Sequence, residues 1–330
     1  MSKKDQNKAS STQGWNTYWQ GASSSAQAFT SGGASNPGFP LFWSTPLDDF
    51  LSARPNARIL DIATGSGAVI ESLSQLANTR LENVSCVDIS EAAIDGVQRR
   101  FPGIVGVVAD ANSIPLETGQ YDLVTSQFGI EYAGPAAIDE AVRLLAADGS
   151  LIFLMHIHDG VLYRECSAAI DALRRTRQCG FIQLARDFFE LGFAAVRGAD
   201  RAAYDDAGLK LNPAIQELEA IISDHGQHVA GDMIEYLLTT VQTIHKRIQY
   251  HEPDEVLDWL ETADQELEKH EERMDSMHQS ALDKNAFKAV CENLAGQGLI
   301  LDRAEPLHLE ADALPFAWAL LASKSDKQQS

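Results

Sequence analysis

The spacing of apolar positions changes character twice along the 330 residues. From residue 57, short β-branched runs alternate with helical stretches. Ala57–Ile62, Val84–Asp88, Ile104–Ala109, Tyr121–Ser126 and Ser150–His156 read as strands. Ala68–Ala77, Ser90–Arg100 and Ala136–Leu145 read as helices, with Ser90 as an N-cap and Glu91 in the acidic first turn. Strand and helix alternating at this pace predict right-handed crossovers and an α/β, doubly wound, mostly parallel sheet. After residue 156 the pattern is helical until about residue 297. Val256, Leu260, Ala263, Leu267, His270, Met274, Met277 and Ala281 fall at spacings of four and three, a coiled-coil-like seam whose other faces are heavily acidic. His270 in this seam is expected to be packed rather than a ligand. A helix over Lys284–Ala295 then precedes two strands, Leu299–Leu309 and Phe316–Ser323. Ahead of residue 57 the chain is polar and rich in Ser and Gly. Trp15, Tyr18 and Trp19 share one helix face there, Ser31–Gly38 reads as a loop, and Pro46–Ala53 as a short helix.

Composition narrows the functional classes. Hydrophobic residues make up 45% and charged residues 22%, an ordinary globular balance, while 47 acidic residues against 26 basic ones leave a net charge of −21. So acidic a surface repels phosphate backbones and anionic lipid, which argues against nucleic acid and membranes as partners. No apolar run approaches the roughly 20 residues of a membrane span. The polar start, Met1–Lys8, has no apolar segment behind it, which predicts no secretory signal. Cys86, Cys166, Cys179 and Cys291 show neither paired nor metal-type spacing, as expected of reduced thiols in a cytoplasmic protein.

Candidate chemistry gathers at the carboxyl ends of the predicted strands, where open α/β sheets bind ligands. The first strand runs into Asp61-Ile-Ala-Thr-Gly-Ser-Gly67, where Gly65 and Gly67 permit a tight turn. The second ends in Asp88, 21 residues past Gly67, a spacing suited to a carboxylate that grips ribose hydroxyls. The third is followed by Asp110-Ala111-Asn112. Each acid alone is explained as a turn or cap residue, but three in succession mark a ligand edge. A dinucleotide site would place a third glycine where Ile70 stands, and no Gly-Lys-Ser/Thr phosphate loop is present. A carboxylate beside the glycine turn disfavours pyrophosphate and suits a cationic ligand with an ammonium group, such as S-adenosylmethionine.

Residues 57–155 resemble the S-adenosylmethionine-dependent methyltransferase family with the Rossmann-like fold, its small-molecule branch in particular. Ile59-Leu-Asp-Ile-Ala-Thr-Gly-Ser-Gly67 is similar to the family's glycine-loop motif, with Ala63 where a first glycine is usual. Cys86-Val-Asp-Ile-Ser90 is similar to the ribose-binding acid and its neighbour, and Ala109-Asp-Ala-Asn-Ser-Ile-Pro-Leu116 to the stretch whose acid approaches the adenine amino group. Gln120-Tyr-Asp-Leu-Val-Thr-Ser-Gln-Phe128 resembles the fourth strand, and Glu140–Ile152 the following helix and fifth strand, with Ala147-Asp148 replacing the common Pro-Gly. The tail resembles the family's closing antiparallel hairpin. The resemblance implies seven strands, with S-adenosylmethionine as cofactor. Asp61, Ala63, Gly65, Ser66, Gly67, Asp88, Ile89, Asp110, Ala111 and Gln127 are its expected contacts. The implied organisation is an N-terminal helical lid over 1–56, a cofactor-binding domain over 57–159 and 283–330, and an all-helical insertion over 160–282 between strands five and six. The insertion is expected to form a cap or a homodimer arm.

Methyl transfer from a sulfonium is an in-line displacement, so a base is needed only for a protonated acceptor. His156 and His158, leaving the fifth strand on the same side with Asp159 beside them, are the candidate catalytic residues. A metal is not expected, because the pair has no third ligand in view. Glu131 and Tyr132, with the Trp15, Tyr18 and Trp19 face, are the candidate substrate contacts. The leading expectation is methyl transfer to a small molecule. Two alternatives remain: a protein- or RNA-modifying methyltransferase, and a non-catalytic S-adenosylmethionine-binding protein. Ser126-Gln-Phe-Gly129 lacks the amide-plus-proline clamp for a flipped base, which weighs against the RNA version.

Overall fold

A computed structural model describes Trp15, Trp19 and residues 38–230, 232–309 and 313–324. Two compact units result: an α/β unit of the described residues up to Tyr163 and from Met277 onward, and a helical unit over Arg164–Ser276.

In the α/β unit, strands β1 (Ile59–Ile62), β2 (Val84–Asp88), β3 (Val105–Val108), β4 (Tyr121–Gln127), β5 (Leu145–His156), β6 (Leu299–Leu307) and β7 (Ala317–Lys324) form one sheet, in the order β3-β2-β1-β4-β5-β7-β6. The pairs from β3 to β5 are parallel, and β7 runs antiparallel to both its neighbours. The central strand β1 is buried at all four positions, which is why its sequence is apolar without alternation except for Asp61. Between the strands lie α2 (Ala68–Ser74), α3 (Glu91–Arg100), α4 (Ile130–Ala133), α5 (Pro135–Leu144) and, before β6, α11 (Lys284–Gly296). Ala137, Ile138, Ala141 and Leu144 of α5 join Phe287 and Leu294 of α11 in one core against Leu60, Val124 and Phe153. Ser90 caps α3 as expected, its hydroxyl accepting from the Ala93 amide.

Several boundaries differ from the sequence expectation. Helix α1 (Gly38–Ala53) starts at Gly38 rather than Pro46 and carries Pro46 inside it. Burial of Phe39, Phe42, Trp43, Leu47 and Leu51 on one stripe offsets the helix-breaking cost of the proline. Strand β5 begins at Leu145, five residues before Ser150, and a register shift between Tyr121 and Leu123 accommodates the extra residues. It also ends at His156, so the strand alternation does not extend to His158. Tyr18, Ser31–Pro37 and the rest of the N-terminal segment, apart from Trp15 and Trp19, lie outside the described residues.

Between β5 and β6 the described residues are helical: α6 (Val161–Gln178), α7 (Phe181–Val196), α8 (Arg201–His225), α9 (Met233–Lys246) and α10 (Pro253–Ser280), followed by α11. The predicted stripe Val256, Leu260, Ala263, Leu267, His270 and Met274 of α10 is buried. Ala281 falls beyond the helix end. Within the unit, Cys166 on α6 donates to the Met274 carbonyl at 2.9 Å. Arg174 and Arg177 on α6 also pair with Glu271. The stripe is therefore used inside the chain itself. His270 is packed, and burial first, then the neighbouring Arg273, pushes its imidazole down to about 4. No described helix is long and apolar enough to cross a membrane.

Candidate functional site

The turn after β1 is built from left-handed backbone. Ala63, Gly65 and Gly67 have φ of 54°, 52° and 81°. For Ala63 that conformation costs about 1–2 kcal/mol, which explains the glycine usual at this position in the similar family. The turn is tied down by Thr64 N–H donating to the Val87 carbonyl at 3.1 Å and Gly67 N–H to the Thr64 carbonyl at 2.8 Å. Gly65 is covered by an aromatic ring, and a Cβ there would come within 2.7 Å of Trp19 Cζ2. Beneath the turn, Asp61 accepts from Thr64 Oγ1 at 2.6 Å and Thr125 Oγ1 at 2.8 Å. Complete burial outweighs these donors and pushes its carboxyl up to about 7.

Asp88 closes β2 over this turn. Its Oδ2 accepts from the Gly65 amide at 2.9 Å and its Oδ1 from the Ser90 amide at 2.9 Å. With the Ile89 amide also donating, three of the carboxylate's roughly four lone-pair sites are used, which leaves room for a further hydroxyl donor. Burial raises its pKa, against the opposing hydrogen bonds from the Ser90, Gly65 and Ile89 amides. Because it is a buried strand residue, Asp88 is also structural, more so than its place at a strand end suggested. Asp110 forms an Asx turn, its Oδ1 accepting from the Asn112 amide at 2.9 Å.

After β4, Phe128 is again left-handed, with φ of 52°. Its amide donates to the Leu154 carbonyl at 2.8 Å, and its ring lies 5.2 Å from Phe39 and 4.5 Å from His156. Tyr132 meets His156 edge-on at 5.7 Å and Trp15 edge-on at 5.6 Å. His156 is itself clamped from below. Glu131 Oε1 lies 2.7 Å from His156 Nδ1 and accepts from its backbone amide at 2.9 Å.

These elements enclose a cavity of about 620 Å³ at the carboxyl ends of β1 to β4, a size ordinary for a small-molecule site. Of the sequence-predicted residues, Trp15, Trp19, Ala63, Gly65, Asp88, Ile89, Asp110, Ala111 and Tyr132 line it together. Asp61, Ser66, Gly67, Gln127, Glu131, His156 and His158 are not on its wall. The Ser66 carbonyl accepts from Arg100 Nη1, and Gly67 caps α2. Gln127 Oε1 accepts from Trp43 Nε1. His156 lies behind the wall, while His158 is half-exposed, 3.0 Å from Asp159 and in tilted ring contact with Tyr163 at 4.2 Å, so the structure does not bring the two histidines together. Phe128, Gly129 and Asn112 line the cavity without having been singled out. The rule that ligands meet strand carboxyl ends, applied at β4 as at β2, points to the first two. Among the described lining residues the only charged side chains are Asp88 and Asp110, and four are aromatic.

A family profile described as a methyltransferase domain matches residues 60–153. The demethylmenaquinone methyltransferase of Beutenbergia cavernae is 34% identical over 117 residues, 35% of this chain and 47% of that one. The ubiquinone/menaquinone biosynthesis C-methyltransferase UbiE of Rickettsia prowazekii is 30% identical over 129 residues, 35% of this chain and 52% of the relative. The chain thus spans about half the length of these curated relatives. Among solved structures, phosphoethanolamine N-methyltransferase 1 of Haemonchus contortus is 20% identical, covering 44% of this chain and 31% of that one at a TM-score of 0.33.

Proposed function

We propose, from the premise that residues 60–153 are a Rossmann-like S-adenosylmethionine-dependent methyltransferase domain, that the chain transfers a methyl group to a small-molecule acceptor. The observation that carries this reading is the single cavity joining the Gly65 turn, Asp88 and Asp110 to the aromatic residues after β4. The residues present fit the cofactor: a left-handed turn that keeps Cβ atoms away at Gly65, a carboxylate with a lone pair to spare, and no basic side chain among the described lining residues to oppose a cation.

S-adenosylmethionine, when bound, supplies a methyl group already activated on a sulfonium. Asp88 would accept a ribose hydroxyl, the charge-assisted bond contributing about 1.5–3 kcal/mol. Asp110 would accept from the adenine amino group, and Ala63 and Gly65 would let backbone lie against the ligand. Trp15, Trp19, Phe128 and Tyr132 would exclude water and hold the acceptor in line, and positioning of this kind contributes roughly 7–11 kcal/mol to such a reaction.

Among the described residues no histidine, lysine or arginine lines the cavity, so neither His156 nor His158 is given a proton-transfer step. The acceptor this favours is uncharged, flat or apolar, and nucleophilic without help. An electron-rich ring carbon of a neutral quinol, as the names of the quinone-biosynthesis relatives suggest, or an unprotonated amine meets that description, and the proton released after transfer passes to water.

Incubation with methyl-labelled S-adenosylmethionine, separately with a panel of small phenols, quinols and amines and with protein and RNA fractions, tests the proposal. Label in a small acceptor supports it. Label only in a macromolecule would overturn the acceptor class, and tight cofactor binding without transfer to any fraction would overturn catalysis.

A further inference from the structure

The pair formed by Glu131 and His156 sits behind the cavity wall, where it can act only through the residues in front of it. Glu131 spends one oxygen on both the ring Nδ1 and the backbone amide of His156, at 2.7 and 2.9 Å. Its other oxygen is buried and has no hydrogen-bond partner among the described residues. The imidazole so fixed is the surface against which Phe128 and Tyr132 rest, at 4.5 and 5.7 Å. Phe128 needs such support, because its backbone is left-handed at φ 52°, a conformation that persists in a bulky residue only where its surroundings impose it.

The cavity has two ends. Asp110 and Asp88 stand at β3 and β2; Phe128 and Tyr132 stand beyond β4, with Ala63 and Gly65 between. If the carboxylates take the polar groups of the adenosine half, as the function proposed above has it, the aromatic end is left for the sulfonium and its methyl group. Aromatic faces attract a cation and are indifferent to its neutral counterpart.

We propose that Glu131 and His156 are a positioning pair: they hold Phe128 and Tyr132 against the charged end of S-adenosylmethionine, and so set how strongly the site prefers the cationic cofactor over its neutral product. This inference rests on the S-adenosylmethionine reading. The role belongs to geometry rather than to the Glu131 charge, because the bonds to His156 use an acceptor oxygen that glutamine also has. In Glu131→Gln the amide nitrogen would replace the oxygen that already lacks a partner.

The test is calorimetric titration of the full chain with adenosine, S-adenosylhomocysteine and S-adenosylmethionine. In Glu131→Ala the ratio of S-adenosylmethionine to S-adenosylhomocysteine affinity is expected to fall about tenfold, the scale of one desolvated cation–aromatic contact, with adenosine binding unchanged. Glu131→Gln is expected to stay close to wild type. Should Glu131→Ala not fold, His156→Asn is read the same way, since it keeps a donor for Glu131 and removes the ring. An unchanged ratio in Glu131→Ala or His156→Asn would overturn the proposal. So would equal weakening of all three ligands, or a Glu131→Gln that behaves like Glu131→Ala. A wild-type protein that binds none of the three would instead overturn the methyltransferase reading on which the pair depends.

Discussion

Asp88 Oδ2 accepts the backbone amide of Gly65 at 2.9 Å, so the carboxylate at the end of β2 also fixes the glycine turn at the end of β1. Binding and folding are therefore coupled at this residue. Asp88→Ala is expected to lower cofactor affinity by roughly ten- to a hundredfold, from loss of the charge-assisted bond to the ribose. It should also lower unfolding stability by about 1–3 kcal/mol, because the Gly65 and Ser90 amides lose their acceptor. Titration of S-adenosylhomocysteine together with urea midpoints measures both effects, and affinity that survives the substitution would remove Asp88 from the cofactor site.

Gly65 and Gly96 respond in opposite senses to alanine. At Gly65 the backbone is left-handed at φ 52° and a Cβ would meet Trp19 at 2.7 Å, so Gly65→Ala should cost about 1–2 kcal/mol and at least tenfold in cofactor affinity. Gly96 lies inside α3 with nothing within 4 Å of a Cβ, so Gly96→Ala should stabilise by about 0.5–1 kcal/mol and leave binding alone. Thermal denaturation of the two variants, with and without ligand, compares them directly.

Asp61 makes part of the pH dependence of stability predictable. Its carboxyl is pushed from its usual 3.8 up to about 7 by burial, so between those values the folded chain holds a proton that the unfolded chain has lost. Stability therefore falls as pH rises from about 4 to about 7, and the ionised carboxylate costs on the order of 2–4 kcal/mol above that range. Asp61→Asn should remove this contribution. The measurement is the difference in unfolding free energy between wild type and variant at pH 5 and pH 8, with the variant gaining relative to wild type at the higher pH. A difference independent of pH would contradict the raised pKa.

The stripe of α10 is a core element of the helical unit, with Leu267 fully buried. Leu267→Ala should destabilise that unit by about 2–5 kcal/mol, read as loss of helical circular dichroism at lower temperature. A midpoint within a degree or so of wild type would mean that the stripe is not packed as described.

The parts legible in the sequence were those set by local chemistry. Strands buried on both faces read as apolar runs, Ser90 reads as a cap, and Asp88 and Gly65 stand at strand ends where the sheet geometry brings them together. What was missed depends on contacts distant in sequence. The prolines at 40 and 46 obscured the start of α1 because the burial of Phe39 and Trp43 that overrides them is tertiary. His156 and His158 share a strand face only while the strand lasts, and β5 ends at His156. Nothing in composition joins Glu131 to His156, 25 residues apart, and the left-handed Phe128 leaves no mark at a position any residue type occupies.

The central claim, that this cavity is built for S-adenosylmethionine, is tested most directly by ligand-dependent thermal stability of the wild-type chain. The account predicts micromolar-range binding of S-adenosylmethionine and S-adenosylhomocysteine, with about 2.7 kcal/mol of added stability when ligand is present at 100 times its Kd. It predicts no shift with nicotinamide dinucleotides. A shift with the dinucleotides and none with S-adenosylmethionine would contradict it.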